Sequence, residues 1–337
     1  MACFTTEYGL HTGNALAVDS CRIGQDIWVV QRSPGYYFKM FKWNIDTNQW
    51  YTVDFKNRGF IEYYNGLAEN IKDFAICSSD GKLYMWREES GGSVILEFNP
   101  ITLEWARLRV ITWKPVSANF LILNNEVYGS TDNRKIKVLP LDALSADVYS
   151  YLREGDERSK LDFCKMDGVT YFIHIVQNGG RNVVKLIRET EGFYNVNKYD
   201  EPRDYLVHSG SGEYQTSTYG YNTKIYQVVQ SANRIILDCF DTMTVKFHTI
   251  FDTKHTDINV INIFGDDQKA YLVYSRNGYI GIRVIDLMPT LETLSLIRVA
   301  DNRINGDIRD IIPYGLRLTF DNMVKWRNDL KKMNPQQ

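Results

Sequence analysis

Short apolar runs alternate with polar turns along most of this chain, and two spacings recur in them. In one, a large apolar residue and an Asx residue are followed, six positions after the Asx, by a second large apolar residue. This holds from Trp43-Asn44 to Trp50, Phe98-Asn99 to Trp105, Leu141-Asp142 to Val148 and Phe240-Asp241 to Phe247. Looser copies run from Ile187 to Phe193 or Tyr194 and from Ile285 to Leu294. Each reads as strand, polar turn, strand. The Asx side chain can bond the backbone just after it and open the turn, and the flanking large residues meet from neighbouring strands.

The second spacing lies upstream of each copy. The stretches GQDIW, DGKLY, NNEVY, DGVTY, NTKIY and DQKAY end at Trp28, Tyr84, Tyr128, Tyr171, Tyr226 and Tyr271. Each is a tight polar turn, one variable residue, then an aromatic, which is the return side of a hairpin. Seven residues before these aromatics stand Cys21, Cys77, Leu121, Cys164, Tyr219 and Phe264. The position is otherwise apolar, so the three cysteines are expected to be small buried residues of a first strand. First strands are expected near 15–18, 73–77, 118–123, 161–165, 214–219 and 258–264.

The aromatics are spaced by 56, 44, 43, 55 and 45 residues. Six units of this length, four strands each, predict an all-β fold: a six-bladed β-propeller of four-stranded antiparallel blades. One blade cannot bury both faces alone, whereas a ring of them can. Trp43 and Trp50 then flank the last turn of the first blade and pack against the neighbouring blade. The expected organisation is an N-terminal segment 1–14, a propeller 15–299 and an extension 300–337 packing on it. Within the extension, 310–318 can add an edge strand to the first or last blade, and 319–333 reads as a short helix. Thr319 or Asp321 caps that helix, and Phe320, Met323, Val324, Leu330 and Met333 share one face. Residues 198–214 form the longest break, between the fourth and fifth units.

FKWNIDTNQW and EFNPITLEW resemble the tyrosine–aspartate–proline–x–threonine–x–x–tryptophan stretch of kelch-type propellers, and KLYMW resembles that family's second strand. The likeness covers roughly residues 15–299. It implies a propeller that presents its loop face to peptides, in some relatives as the substrate receptor of a ubiquitin ligase. A few kelch propellers are enzymes.

Composition narrows the functional classes. The chain has 337 residues, 44% hydrophobic and 13% aromatic, which suits strands packed in a large core. A net charge of −2 provides no bulk attraction to nucleic acid or an anionic membrane. No apolar run approaches the ~20 residues of a membrane span, and the start, MACFTTEYGLHTG, lacks the regions of a signal peptide. Five cysteines without a CxxC pair point to a reducing compartment, the cytoplasm or nucleus. His11, His174, His208, His248 and His255 show no metal-ligand spacing, and GxSxG, HExxH, P-loop and GxGxxG motifs are absent from the sequence. The expectation is therefore a chain that is not an enzyme and takes no cofactor or metal. A small-molecule or sugar enzyme using the central pocket, or an RNA-associated cofactor, is the alternative.

One constellation rises above this background. In a four-stranded blade, the loops between second and third strands share one face with the connections between blades. Each of those six loops contains an arginine: Arg32, Arg87, Arg134, Arg181, Arg234 and Arg276. Connections on the same face add Arg58, Arg153, Arg158 and Arg203, while the opposite face holds Asp26, Asp46, Asp80, Asp167, Asp266 and Asp267. The planar arginine fork suits carboxylate and phosphate. The expected function is a protein-interaction scaffold, a monomeric propeller within a larger complex, binding an acidic or phosphorylated peptide on this arginine-lined face. RNA phosphates are the other anion of matching chemistry.

Overall fold

The computed structural model describes residues 5–287, apart from 35–37, 57–73, 90–91, 112–119, 124, 131–135, 142–148, 152–159, 167–168, 179–180, 189–202, 210–214, 222–223, 232–233, 242–245, 255–256 and 267. The expected edge strand 310–318 and helix 319–333 lie outside the described residues, as do Arg58, Arg134, Arg153, Arg158, Asp167 and Asp267.

The described strands form six four-stranded antiparallel sheets, a propeller-like arrangement. Strand β1 (Thr5–His11) opens the chain. The first sheet is β2 (Ala17–Ile23), β3 (Asp26–Arg32), β4 (Phe38–Asn44) and β5 (Gln49–Val53). The second is β6 (Phe74–Ser79), β7 (Lys82–Glu89), β8 (Gly92–Asn99) and β9 (Glu104–Ile111). The third is β10 (Phe120–Leu123), β11 (Glu126–Ser130), β12 (Ile136–Pro140) and β13 (Tyr149–Tyr151). The fourth is β14 (Lys160–Met166), β15 (Val169–Asn178), β16 (Arg181–Arg188) and β17 (Arg203–Ser209). The fifth is β18 (Gln215–Tyr221), β19 (Lys224–Ser231), β20 (Arg234–Asp241) and β21 (Lys246–Thr253). The sixth begins with β22 (Asn259–Gly265), β23 (Lys269–Arg276) and β24 (Tyr279–Asp286).

The recurrent spacings are cross-strand pairs. Each hairpin aromatic stands directly opposite the residue seven places before it: Cys21 with Trp28, Cys77 with Tyr84, Leu121 with Tyr128, Cys164 with Tyr171, Tyr219 with Tyr226 and Phe264 with Tyr271. Trp43 likewise faces Trp50, Phe98 faces Trp105 and Phe240 faces Phe247. At two of the turns the Asx residue acts as the pattern requires. Asn44 Oδ1 accepts the Thr47 N–H at 3.0 Å, and Asn99 Oδ1 accepts the Ile101 N–H at 2.9 Å. Four residues after each Asx, Asn48 and Leu103 return the chain with positive φ and donate their N–H to the Asx carbonyl.

Packing between sheets follows the aromatics. Trp43 is fully buried and lies 5.6 Å from Tyr8 of β1 and 5.8 Å from Tyr271 of β23, so it does pack on a neighbouring sheet. Trp28 packs edge-on against Phe98 of the second sheet at 5.6 Å. Among first strands, β14 adjoins β18, β18 adjoins β22, β22 adjoins β2, β2 adjoins β6 and β6 adjoins β10. Cys21 and Cys77 are buried free thiols at equivalent places, whereas the side chain of Cys164 is outside the described set.

Two expected fourth strands are corrected. Beside β24 lies β1 rather than the segment running to Leu294, with Thr5 opposite Ile285 through to His11 opposite Tyr279. The N-terminal segment is thus part of the sixth sheet. Arg283 of β24 is buried and donates through Nε to Glu7 of β1 at 2.7 Å, and the Tyr274 hydroxyl donates to the same carboxylate at 3.4 Å. Gly281 makes room for this contact, because a Cβ there would stand 2.3 Å from Tyr274 Cζ. In the fourth sheet, the partner of β16 is β17, inside the stretch read as a break and well beyond Phe193. A long connection replaces the short Asx turn there, so the six-residue spacing does not apply, and Arg203 begins a strand instead of lying in a loop.

Candidate functional site: a cleft where the first and last sheets meet

A cleft of about 640 Å³ opens where three chain segments converge: residues 12–15 between β1 and β2, 257–259 at the start of β22, and 275–280 around the β23–β24 turn. All three belong to the second–third loops or the connections between sheets, the end of the fold to which the arginine pattern pointed. Asn277 and Gly278 both have positive φ and form the two-residue Asn-Gly hairpin turn that matches strand twist. The Gly278 carbonyl accepts the N–H groups of Thr12 and Gly13 at 2.9 and 3.1 Å. From the first sheet, Lys39 Nζ donates to the Thr12 carbonyl at 3.0 Å, and Gln31 Nε2 to the Asn14 carbonyl at 3.3 Å. The linker between the two sheets is therefore held from both sides.

Arg276 stands on this cleft with its side chain 49% exposed, and its Nη2 donates to Asp257 Oδ2 at 3.1 Å. A guanidinium has five N–H donors; among the described residues this bond is the one hydrogen bond that its side chain makes, through Nη2 alone. Tyr279 is half exposed at the cleft, with His11 against it edge-on at 4.7 Å. Asn14, Asn259 and Asn277 are exposed lining residues, each offering an amide donor and acceptor.

The other expected arginines are placed differently. Arg32 ends β3, opposite Ala17 and Phe38, and is buried. Arg87 lies within β7, opposite Phe74 and Val94, at 3% exposure. Neither presents its guanidinium on an open rim. Arg181 opens β16 opposite Asn178, and Arg134 is outside the described residues. Arg234 opens β20 and holds Asp252 with both Nε and Nη2. Of the four whose side chains are described, Arg32, Arg87, Arg234 and Arg276, it is Arg276 that lines this cleft. On the opposite end, Asp26 accepts from Lys42 Nζ at 3.1 Å and from Asn44 Nδ2 at 2.8 Å, while Asp46 and Asp80 are exposed.

A second set of residues joins neighbouring sheets. Asp19 of β2 is buried and accepts the N–H of Ser20 and, across the sheet boundary, of Ile76 in β6, both at 2.7 Å. Burial pushes its carboxyl up to about 7 despite those two bonds. Asn262 of β22 donates to the Ser20 carbonyl at 2.9 Å and accepts from the Ser217 hydroxyl of β18. Burial also raises the Cys77 thiol, against the opposing bond from the Ile122 N–H of β10. Asp19, Ser217 and Asn262 all lie two residues before the first-strand partner of the hairpin aromatic, where the sequence also holds Ala75, Asn119 and Asp162. The signal was therefore present: a mostly polar position in phase with the repeat, inside an otherwise apolar strand.

No family model matches the chain, and no curated protein matches it. Among solved structures, it is similar to a chain from a structural and mechanistic study of two prolyl endopeptidases, at 13% identity and a TM-score of 0.42. The match covers 82% of this chain and 42% of that one, so this chain spans less than half the length of that structure. The matched protein is an enzyme, and on that finding the expectation that this chain is not one is withdrawn. A likeness at this TM-score transfers neither activity nor substrate.

Proposed function

We propose that the six sheets are the blades of a closed, kelch-like propeller, and that its loop end is a protein-interaction surface which binds an acidic or phosphorylated segment at the Arg276 cleft. Closure is supported by β1 completing the sixth sheet and by the run of adjoining first strands from β14 through β22 and β2 to β10. A closed ring brings β10 beside β14. Solution scattering should then return the compact profile of a disc; an open arc would refute closure.

The observation that carries the binding reading is the geometry of Arg276: half exposed, on a cleft of about 640 Å³, with one side-chain hydrogen bond among the described residues. A charge-assisted bidentate contact to a carboxylate or phosphate contributes ~1.5–3 kcal/mol. Neutral bonds from the flanking amides add ~1 kcal/mol each. With one such bond from each of Asn14, Asn259 and Asn277 the total is about 4.5–6 kcal/mol, a complex between millimolar and micromolar. Fluorescence anisotropy with labelled hexaglutamate, its phosphoserine-containing counterpart and a hexalysine control tests this. Binding of the two acidic probes, weakened at higher salt and lost on Arg276→Gln, is expected. Equal binding of all three probes would refute it.

A further inference from the structure

The cleft spans the boundary at which the two ends of the described chain meet. One wall is the linker that leaves β1, another is the turn after β23, and the two are joined by the bonds from Thr12 and Gly13 to the Gly278 carbonyl. We infer that the cleft takes its acidic segment as an extended peptide lying across this boundary, so that occupancy of the cleft and docking of the N-terminal strand are thermodynamically linked. The inference rests on the binding reading given above.

The peptide form follows from the lining. Exposed asparagines contribute to all three walls, Asn14 on the linker, Asn259 on β22 and Asn277 on the turn. An amide side chain offers the donor–acceptor pair that matches a peptide main chain. With Arg276 taking one acidic side chain and the Tyr279 ring offering a platform, the lining suits a short linear segment.

The linkage follows from how β1 is held. Its alternating burial leaves four of its seven residues exposed. Beyond its seven-residue pairing with β24, its side-chain anchors are Tyr8 on Trp43, the Trp50 Nε1 donating to the Tyr8 carbonyl at 3.3 Å, and Glu7 with Arg283. None of these anchors lines the cleft. When β1 leaves, residues 12–15 lose their fixed end and keep only the bonds with Gly278, Lys39 and Gln31, so one wall of the cleft is loosened. A ligand that needs that wall binds the docked state better, and so stabilises it. By reciprocity, docking of β1 raises affinity by the factor by which the ligand strengthens docking, so a change that populates the undocked state lowers apparent affinity in proportion to the docked fraction lost.

The test uses the full chain, labelled hexaglutamate, and hydrogen exchange of residues 5–11. Saturating peptide should slow exchange across β1 several-fold. Glu7→Gln and Tyr8→Ala, both away from the cleft, should each lower affinity at least threefold, and Arg276→Gln should abolish the protection. If peptide binds and is lost in Arg276→Gln, while β1 exchange and the affinities of the Glu7 and Tyr8 variants are unchanged, the linkage is wrong and the binding reading stands. If no acidic peptide binds, both fall. Should Tyr8→Ala fail to fold, Glu7→Gln and the exchange measurement on the unaltered protein decide the matter.

Discussion

Arginine occupies the same end of the second–third hairpin in the first two sheets and in the last two, with opposite outcomes. Arg32 and Arg87 sit within strand register among apolar neighbours and are buried, and close by Phe38 meets Phe74 edge-on at 5.4 Å. Arg234 and Arg276 sit at strand ends beside acidic partners, Asp252 and Asp257, and stay about half exposed. Position in the repeat does not determine the role of the side chain. For Arg87 the hairpin's reach accounts for burial, because β7 continues to Glu89, two residues beyond it, whereas β23 stops at Arg276; Arg32 ends β3 and is buried all the same. The first pair of arginines is enclosed, whereas in the second pair Arg234 is bound by two nitrogens to Asp252 and Arg276 by one nitrogen to Asp257.

That contrast can be broken by mutation. The largest effect is expected at Arg87. Arg87→Ala removes a side chain that is 3% exposed and leaves a cavity in its place, so urea unfolding should show a loss of about 3 kcal/mol. A loss near zero would mean that this arginine is not structural.

Next comes the boundary between the first two sheets, where Asp19 supplies an ionisable carboxyl at the repeat position that holds neutral Asn262 at the other boundary. A folded-state pKa of about 7 lies above the ordinary carboxyl value of 3.8. The folded form therefore holds its proton more tightly than the unfolded form. Asp19 contributes stability that is complete below about pH 4 and is lost as the pH rises to 7, by up to about 2–4 kcal/mol. Melting of the unaltered protein should show this fall, and Asp19→Asn should flatten it between pH 4 and 7. A fall of the same size in Asp19→Asn would assign the proton elsewhere.

Smaller effects are expected at the exposed pairs. Arg234 and Asp252 are each nearly half exposed, so a double-mutant cycle to alanine should return a coupling of only about 0.5 kcal/mol. Arg276→Gln should change unfolding free energy by less than about 0.5 kcal/mol.

Much of the fold was legible because its signals are local. A tight turn fixes which residues face each other, so a seven-residue spacing became Cys21 opposite Trp28 and five further pairs in the same register. The Asx turn at Asn44 was equally local. What escaped was long range. Nothing near Thr5–His11 reveals that its partner is β24, because that pairing joins residues some 270 positions apart. The fourth strand of the fourth sheet escaped because its connection is long. At the site, the sequence named Arg276 as a residue of a second–third loop, and the structure places it on the cleft at the end of β23. The sequence could not separate Arg276 from Arg87, because burial depends on how far each hairpin extends and on what packs over it. The polar position of Asp19 and Asn262 was passed over because its neighbours along the strand read as core.

The central claim is that Arg276, and not the arginines as a set, is the contact for an acidic segment. Side-by-side titration of labelled hexaglutamate against Arg276→Gln and Arg234→Gln tests it most directly. A loss of roughly tenfold or more is expected for Arg276→Gln, corresponding to one charge-assisted contact. Less than a twofold change is expected for Arg234→Gln, whose fork already holds Asp252. Equal losses in the two variants, or a larger loss in Arg234→Gln, would contradict the account.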